Sequence, residues 1–122
     1  ELVEQSGTPG GIDVIRADDR SHIFRSDEHC VIRTLSPLHL EKDVEFYEVQ
    51  LKPGRSLRSA AHFEGTREFL TVQKGQVRVH SDEHTTELQR GDSAKYRADV
   101  PHEIENLSKT ESIVFLVVIY QK

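Results

Sequence analysis

The feature that most limits what this chain can fold into is its beat. Short β-branched and apolar runs recur between turn signals, and no stretch keeps a helical period for three turns. A strand-to-turn spacing of roughly 8 to 12 residues signals an all-β sandwich or barrel. The expected strands are Ile12 to Arg16, Ser21 to Phe24, Cys30 to Leu35, Asp43 to Leu51, Glu68 to Gln73, Gln76 to His80, Thr85 to Leu88, Ser93 to Arg97, His102 to Leu107 and Ser112 to Tyr120. Helix should be scarce and confined to the first few residues. A chain of 122 residues supports one continuous core and one domain.

Residues 1–11, ELVEQSGTPGG, are polar and end in a Thr-Pro-Gly-Gly joint, which reads as a linker ahead of a domain spanning 12–122. The sequence begins at Glu1 and contains no Met, so a preceding segment is expected. The formal net charge of −5 argues against this chain gripping a polyanion by itself. The single cysteine, Cys30, cannot form an intrachain disulfide. Its strand-like flanks predict a buried, inert thiol in a reducing compartment such as the cytoplasm. The longest apolar run, Ile113 to Tyr120, has eight residues, which suits a core strand rather than a membrane span.

Two stretches carry chemistry. Asp43 to Leu51 mixes polar and apolar residues on both alternating faces, as expected for a barrel wall whose lumen holds polar contacts, and Glu48 is a candidate for one of them. Pro53 to Gly75 places His62 and Glu68 six residues apart across a break at Gly65. Two strands joined there would aim both side chains into one space. Glu68 shares its face with Leu70 and Val72, and a carboxylate aimed at an apolar interior is costly without a cation or a donor. By strand parity with His62, Arg58 would point into the same lumen and meet an anionic ligand; as a surface arginine it would not. His80 and His84 flank a hairpin turn and read as solvated, and His22, His29 and His39 have no assigned role.

His62, Glu64, Glu68 and Gly75, followed by Gly91, His102 and Asn106, resemble the paired motifs of the cupins. His62 takes the first histidine of the first motif and Glu68 its glutamate, while Glu64 replaces the second histidine. In the second motif Gly91, His102 and Asn106 fall at the right spacing, with Arg97 and Asp99 where its proline and glycine stand. The resemblance implies a double-stranded β-helix, a jelly-roll barrel of two antiparallel sheets. The run HFEGTREFLTVQKGQVRVH with GDSAKYRADVPHEIEN is similar to the C-terminal cupin half of bacterial helix-turn-helix regulators. In that family the N-terminal half binds DNA and the cupin half is thought to sense a small molecule.

The resemblance implies a divalent metal on His62, Glu68 and His102, with Glu64 as a further ligand or supporting group. Zinc comes first, and iron, manganese or nickel also suit two imidazoles and a carboxylate. The alternative is a metal-free polar lining. Glu48, Arg58, Glu64 and Tyr96 are the expected contacts for a small-molecule effector. DNA would be met only through the absent N-terminal domain, without membrane contact, in a homodimer. An enzyme is the second reading: a dioxygenase or isomerase in which the same triad leaves open positions for oxygen or substrate.

Overall fold

The computed structural model describes residues 11–36 and 43–120. The linker expected at 1–11 lies outside these residues except for Gly11, and so do His39 and any helix in the first few positions. Ten strands form: β1 Ile23–Ser26, β2 Cys30–Thr34, β3 Val44–Leu51, β4 Ser56–Ser59, β5 Arg67–Lys74, β6 Gln76–Ser81, β7 His84–Gln89, β8 Ser93–Arg97, β9 His102–Asn106 and β10 Ser112–Ile119. Among the described residues the only helical turn is a 3-10 turn, Arg20–His22, where the Asp19 carboxylate accepts the Ser21 N–H.

The strands build two antiparallel sheets, one in the order β1-β2-β3-β10-β5-β8 and the other β4-β9-β6-β7. This is the all-β, two-sheet jelly roll that the sequence predicts. The middle strand of the larger sheet, β10, shows why: Ser112, Val114, Leu116 and Val118 are buried while Ile113, Phe115, Val117 and Ile119 are half-buried on the other side. Period-two alternation fixes which face of a strand is inward, since a slip of one residue would turn the apolar set out. Val49, Leu51, Leu70, Val72, Val114 and Leu116 meet Leu57, Val77, Val79, Leu88 and Ile104 from the smaller sheet in one core. Each such side chain stabilises the fold by about 1.5–3 kcal/mol when fully buried. Cys30 is buried in the same core, and burial pushes its thiol pKa up, as an inert cysteine requires.

Two expected strands shift. Ile12 to Arg16 forms none; the Arg16 carbonyl accepts from the Arg33 guanidinium at 2.8 Å. Ser21 and His22 belong to the 3-10 turn, so β1 begins only at Ile23.

Beneath the core, β9 ends in a polar knot. Asn106 Nδ2 donates to the carbonyls of Leu51, Lys52 and Thr110, and its Oδ1 accepts from Ser108 N–H at 2.8 Å and Ser112 Oγ at 2.6 Å. Gly75 closes the β5–β6 corner at φ +85°, where a Cβ would run into Ser112 Oγ. Glycine alone fits both demands.

Candidate metal centre

At the opposite end of β9, His102 is buried, 5% exposed. Alternation from Ile104 points it inward, towards Glu68 on β5 of the facing sheet. Its Nδ1 lies 2.8 Å from the Val100 carbonyl. A carbonyl only accepts, so Nδ1 carries a proton and Nε2 is left to face Glu68 Oε2 at 3.2 Å. Burial disfavours the charged ring more than any other single influence, yet hydrogen bonds with Glu68 and Val100 and the Glu68 charge together outweigh it, and the His102 pKa lies above the ordinary imidazole value.

Tyr96 on β8, cross-strand from Glu68, donates its hydroxyl to Glu68 Oε1 at 2.6 Å. Burial first, then the Glu68 charge, raises the tyrosine pKa well above its usual value, so the phenol stays a donor. It holds one carboxylate oxygen and leaves the other for the histidines.

His62 arrives differently. The strand parity that was to carry it inward fails, because β4 stops at Ser59 and His62 sits in the following loop. That loop is clamped to the segment after β8: His62 N–H donates to Ala98 O at 2.8 Å, Ala98 N–H to Thr66 O at 2.9 Å, and Gly65 N–H to the Asp99 carboxylate at 2.8 Å. Arg97 steadies Asp99 at 2.9 Å. These are the two residues that replace the proline and glycine of the second motif, and here they fasten the loop that carries His62. Its Nε2 stands 3.7 Å from Glu68 Oε2, and the ring centroids of His62 and His102 are 5.1 Å apart.

One donor atom from each of His62, Glu68 and His102 lies within 4.8 Å of the others. The separations of 3.2 and 3.7 Å to Glu68 bracket the roughly 3.4 Å between ligands of a tetrahedral zinc with bonds of about 2.0–2.1 Å. With Nδ1 committed to Val100, His102 Nε2 and Glu68 Oε2 direct lone pairs at each other unless a positive charge, a proton or a metal ion, sits between them. The donor set therefore fits a divalent metal, and the hydrogen bonds from Tyr96 and to Val100 supply the outer support that metal ligands require.

The remaining candidates fall elsewhere. Glu48 shares its parity with exposed Phe46 and pairs across to Arg33 and Phe115, which puts it on the outer face of the larger sheet. Inward-facing β3 positions are odd-numbered, and Glu45 and Tyr47 take the cavity places expected of Glu48. Arg58 is 84% exposed in its side chain, touches only the rim of the cavity and pairs with Glu103 at 3.2 Å. Glu64 is exposed and outside the donor cluster, since the loop around Gly65, at φ +85°, breaks the alternation that would have aligned it with His62. His80 is part of a surface network with Thr85 and Glu105. His62 and Glu68 open on a cavity of about 260 Å³, whose wall includes Glu45, Tyr47, Tyr120 and Phe24. A larger concavity of about 460 Å³ near Arg25, His29, Arg55 and Arg58 contains none of the three donors. Among the described residues no helix is long and apolar enough to cross a membrane.

No curated protein matches this sequence. Among solved structures, an HTH_3 family transcriptional regulator from Vibrio cholerae aligns at 27% identity and a TM-score of 0.75 over 84% of this chain, which spans 57% of that regulator. The Cupin_2 domain of an XRE family transcriptional regulator from Enterobacter cloacae aligns at 21% identity and a TM-score of 0.71, covering 78% of this chain and 100% of that one. A predicted oxalate decarboxylase from Thermotoga maritima shares the fold at 21% identity and a TM-score of 0.65, covering 75% and 81% of the two chains. The family profile described as "Cupin domain" matches residues 47–119, from the middle of β3 to the end of β10. The chain belongs to the cupin domain family.

Proposed function

We propose that this domain is the ligand-sensing module of a DNA-binding transcriptional regulator and holds one divalent metal ion, zinc first, on His62, Glu68 and His102. The convergence of those three donor atoms, two of them from buried residues and the third from the exposed His62, carries the reading. Likeness to the two regulator structures supports the sensing role. In that role residues 1–11 link the cupin domain, 12–122, to an N-terminal DNA-binding domain, and the protein works in the cytoplasm as a homodimer on a two-fold-symmetric DNA site. A bound divalent ion would act as a Lewis acid towards a ligand oxygen. Tyr96 orients Glu68, the Val100 carbonyl orients His102, and the Asp99 clamp sets His62. An effector entering beside them acts on DNA binding only so far as it favours one of two states of the protein.

The gene sequence upstream of Glu1 tests the regulator directly. About 60 to 70 residues with two amphipathic helices and a short turn support it. A start codon just ahead of Glu1 favours a second reading, a small metal-dependent enzyme, to which the likeness to the Thermotoga maritima protein lends support. Oxygen uptake with ferrous iron and a candidate substrate would then be the assay.

A further inference from the structure

The cavity beside the donor cluster holds a second carboxylate that the metal site does not use. Glu45 Oε1 accepts the hydroxyls of Tyr47 at 2.8 Å and Tyr120 at 2.9 Å. No cation pairs with Glu45 among the described residues. The two arginines at the cavity margin are already answered, Arg25 by Asp27 at 2.6 Å and Arg58 by Glu103 at 3.2 Å.

The register places this carboxylate relative to the first. Val118 of β10 pairs with Glu45 on one side and Glu68 on the other. The two acids therefore share the inward face, two strand spacings or roughly 10 Å apart between Cα atoms. Between and around them are apolar and aromatic surfaces. Val49, Leu116 and Val118 line the cavity, Phe24 stacks at a tilt on Tyr47 with centroids 5.9 Å apart, and the Tyr120 ring meets His62 edge-on at 6.4 Å. Both phenols donate to the same carboxylate oxygen and so fix the position of Glu45 in the cavity wall.

A carboxylate facing a largely apolar cavity is costly without a counter-charge, and a guest that is anionic there would be repelled. Aromatic rings flanking a carboxylate favour an ammonium group, which each of them attracts. The geometry points to a second subsite: the cavity takes a small organic cation whose ammonium group sits on Glu45 among Tyr47, Tyr120 and Phe24, with its other end directed at His62 and Glu68. The inference rests on the reading of this domain as a ligand-binding module and names the class of its ligand.

Three probes of matched shape test it: n-butylammonium, n-butanol and butyrate, titrated calorimetrically into the chain at neutral pH and fixed ionic strength with equimolar zinc. n-Butylammonium should bind at least about tenfold more tightly than either of the others, and Glu45→Gln should erase that preference. Tyr47→Phe, which keeps the ring and removes one hydroxyl, should weaken it. Equal or tighter binding of butanol or butyrate, an unchanged preference in Glu45→Gln, or no binding of n-butylammonium overturns the subsite. Zinc content measured on the same samples separates the two claims. Bound zinc without an ammonium preference removes the subsite and leaves the metal centre standing, whereas an ammonium preference without zinc supports the subsite and removes the metal centre.

Discussion

The two ends of β9 use buried polar groups to opposite purposes. At Asn106 every polar atom of the side chain is answered by the chain itself, through three carbonyls, one N–H and one hydroxyl. At His102, four residues away on the same strand, the chain supplies partners only for the far sides of the groups. Val100 takes Nδ1 of His102 and Tyr96 takes Oε1 of Glu68, while the remaining atoms converge on each other and on His62. A self-satisfied network stabilises and specifies the fold. A network satisfied from behind and left convergent in front is built for a guest. Two ends of one strand thus separate what holds the barrel from what the barrel holds.

Substitutions should divide in the same way. The largest effect belongs to Asn106→Ala, which strands several buried backbone groups at once; urea denaturation should show a loss of about 3–5 kcal/mol, with metal content per folded chain unchanged. Next comes Gly75→Ala, which forces a side chain into the left-handed region and against Ser112 Oγ. It should cost about 2 kcal/mol, again without touching metal binding. A metal loss in either variant would break the division.

At the other end, Asp99→Ala should leave the urea midpoint nearly in place and weaken metal binding about tenfold in a chelator competition, because it frees the loop that carries His62. The smallest effect is one of pH. The hydrogen bond from Arg97, then that from Gly65 N–H, holds the Asp99 carboxyl below the usual carboxylate range. Its contribution is therefore complete above the unfolded value of about 3.9 and fades as pH falls through the lower folded value. Acid titration of the metal-free chain should show that component in the wild type and not in Asp99→Asn.

How much of this the sequence discloses depends on what sets each feature. The alternation of β10 and of Arg67–Lys74 shows in the residues because each strand buries one face in the core. Ser93–Arg97 coincides with its expected span. The meeting of His62, Glu68 and His102 is visible through motif spacing, although the parity argument for His62 fails, its position coming from loop clamps to Ala98 and Asp99. Glu48 was the natural choice on a strand with both faces mixed. The inward face of β3 is decided by its register with β10, where Val49 lies opposite Val114, and that register is a long-range fact. The signal that could have found Glu45 and Tyr47 is their shared parity with Val49 and Leu51, the two most apolar positions of the strand's end.

Metal analysis of the chain, purified without chelators or a metal-binding tag, tests the central claim most directly. The account predicts about one divalent ion per chain in the wild type and its loss in His102→Ala, with the variant still folded by circular dichroism. A wild-type protein that carries no stoichiometric ion and takes up none from added zinc, iron, manganese or nickel would contradict it.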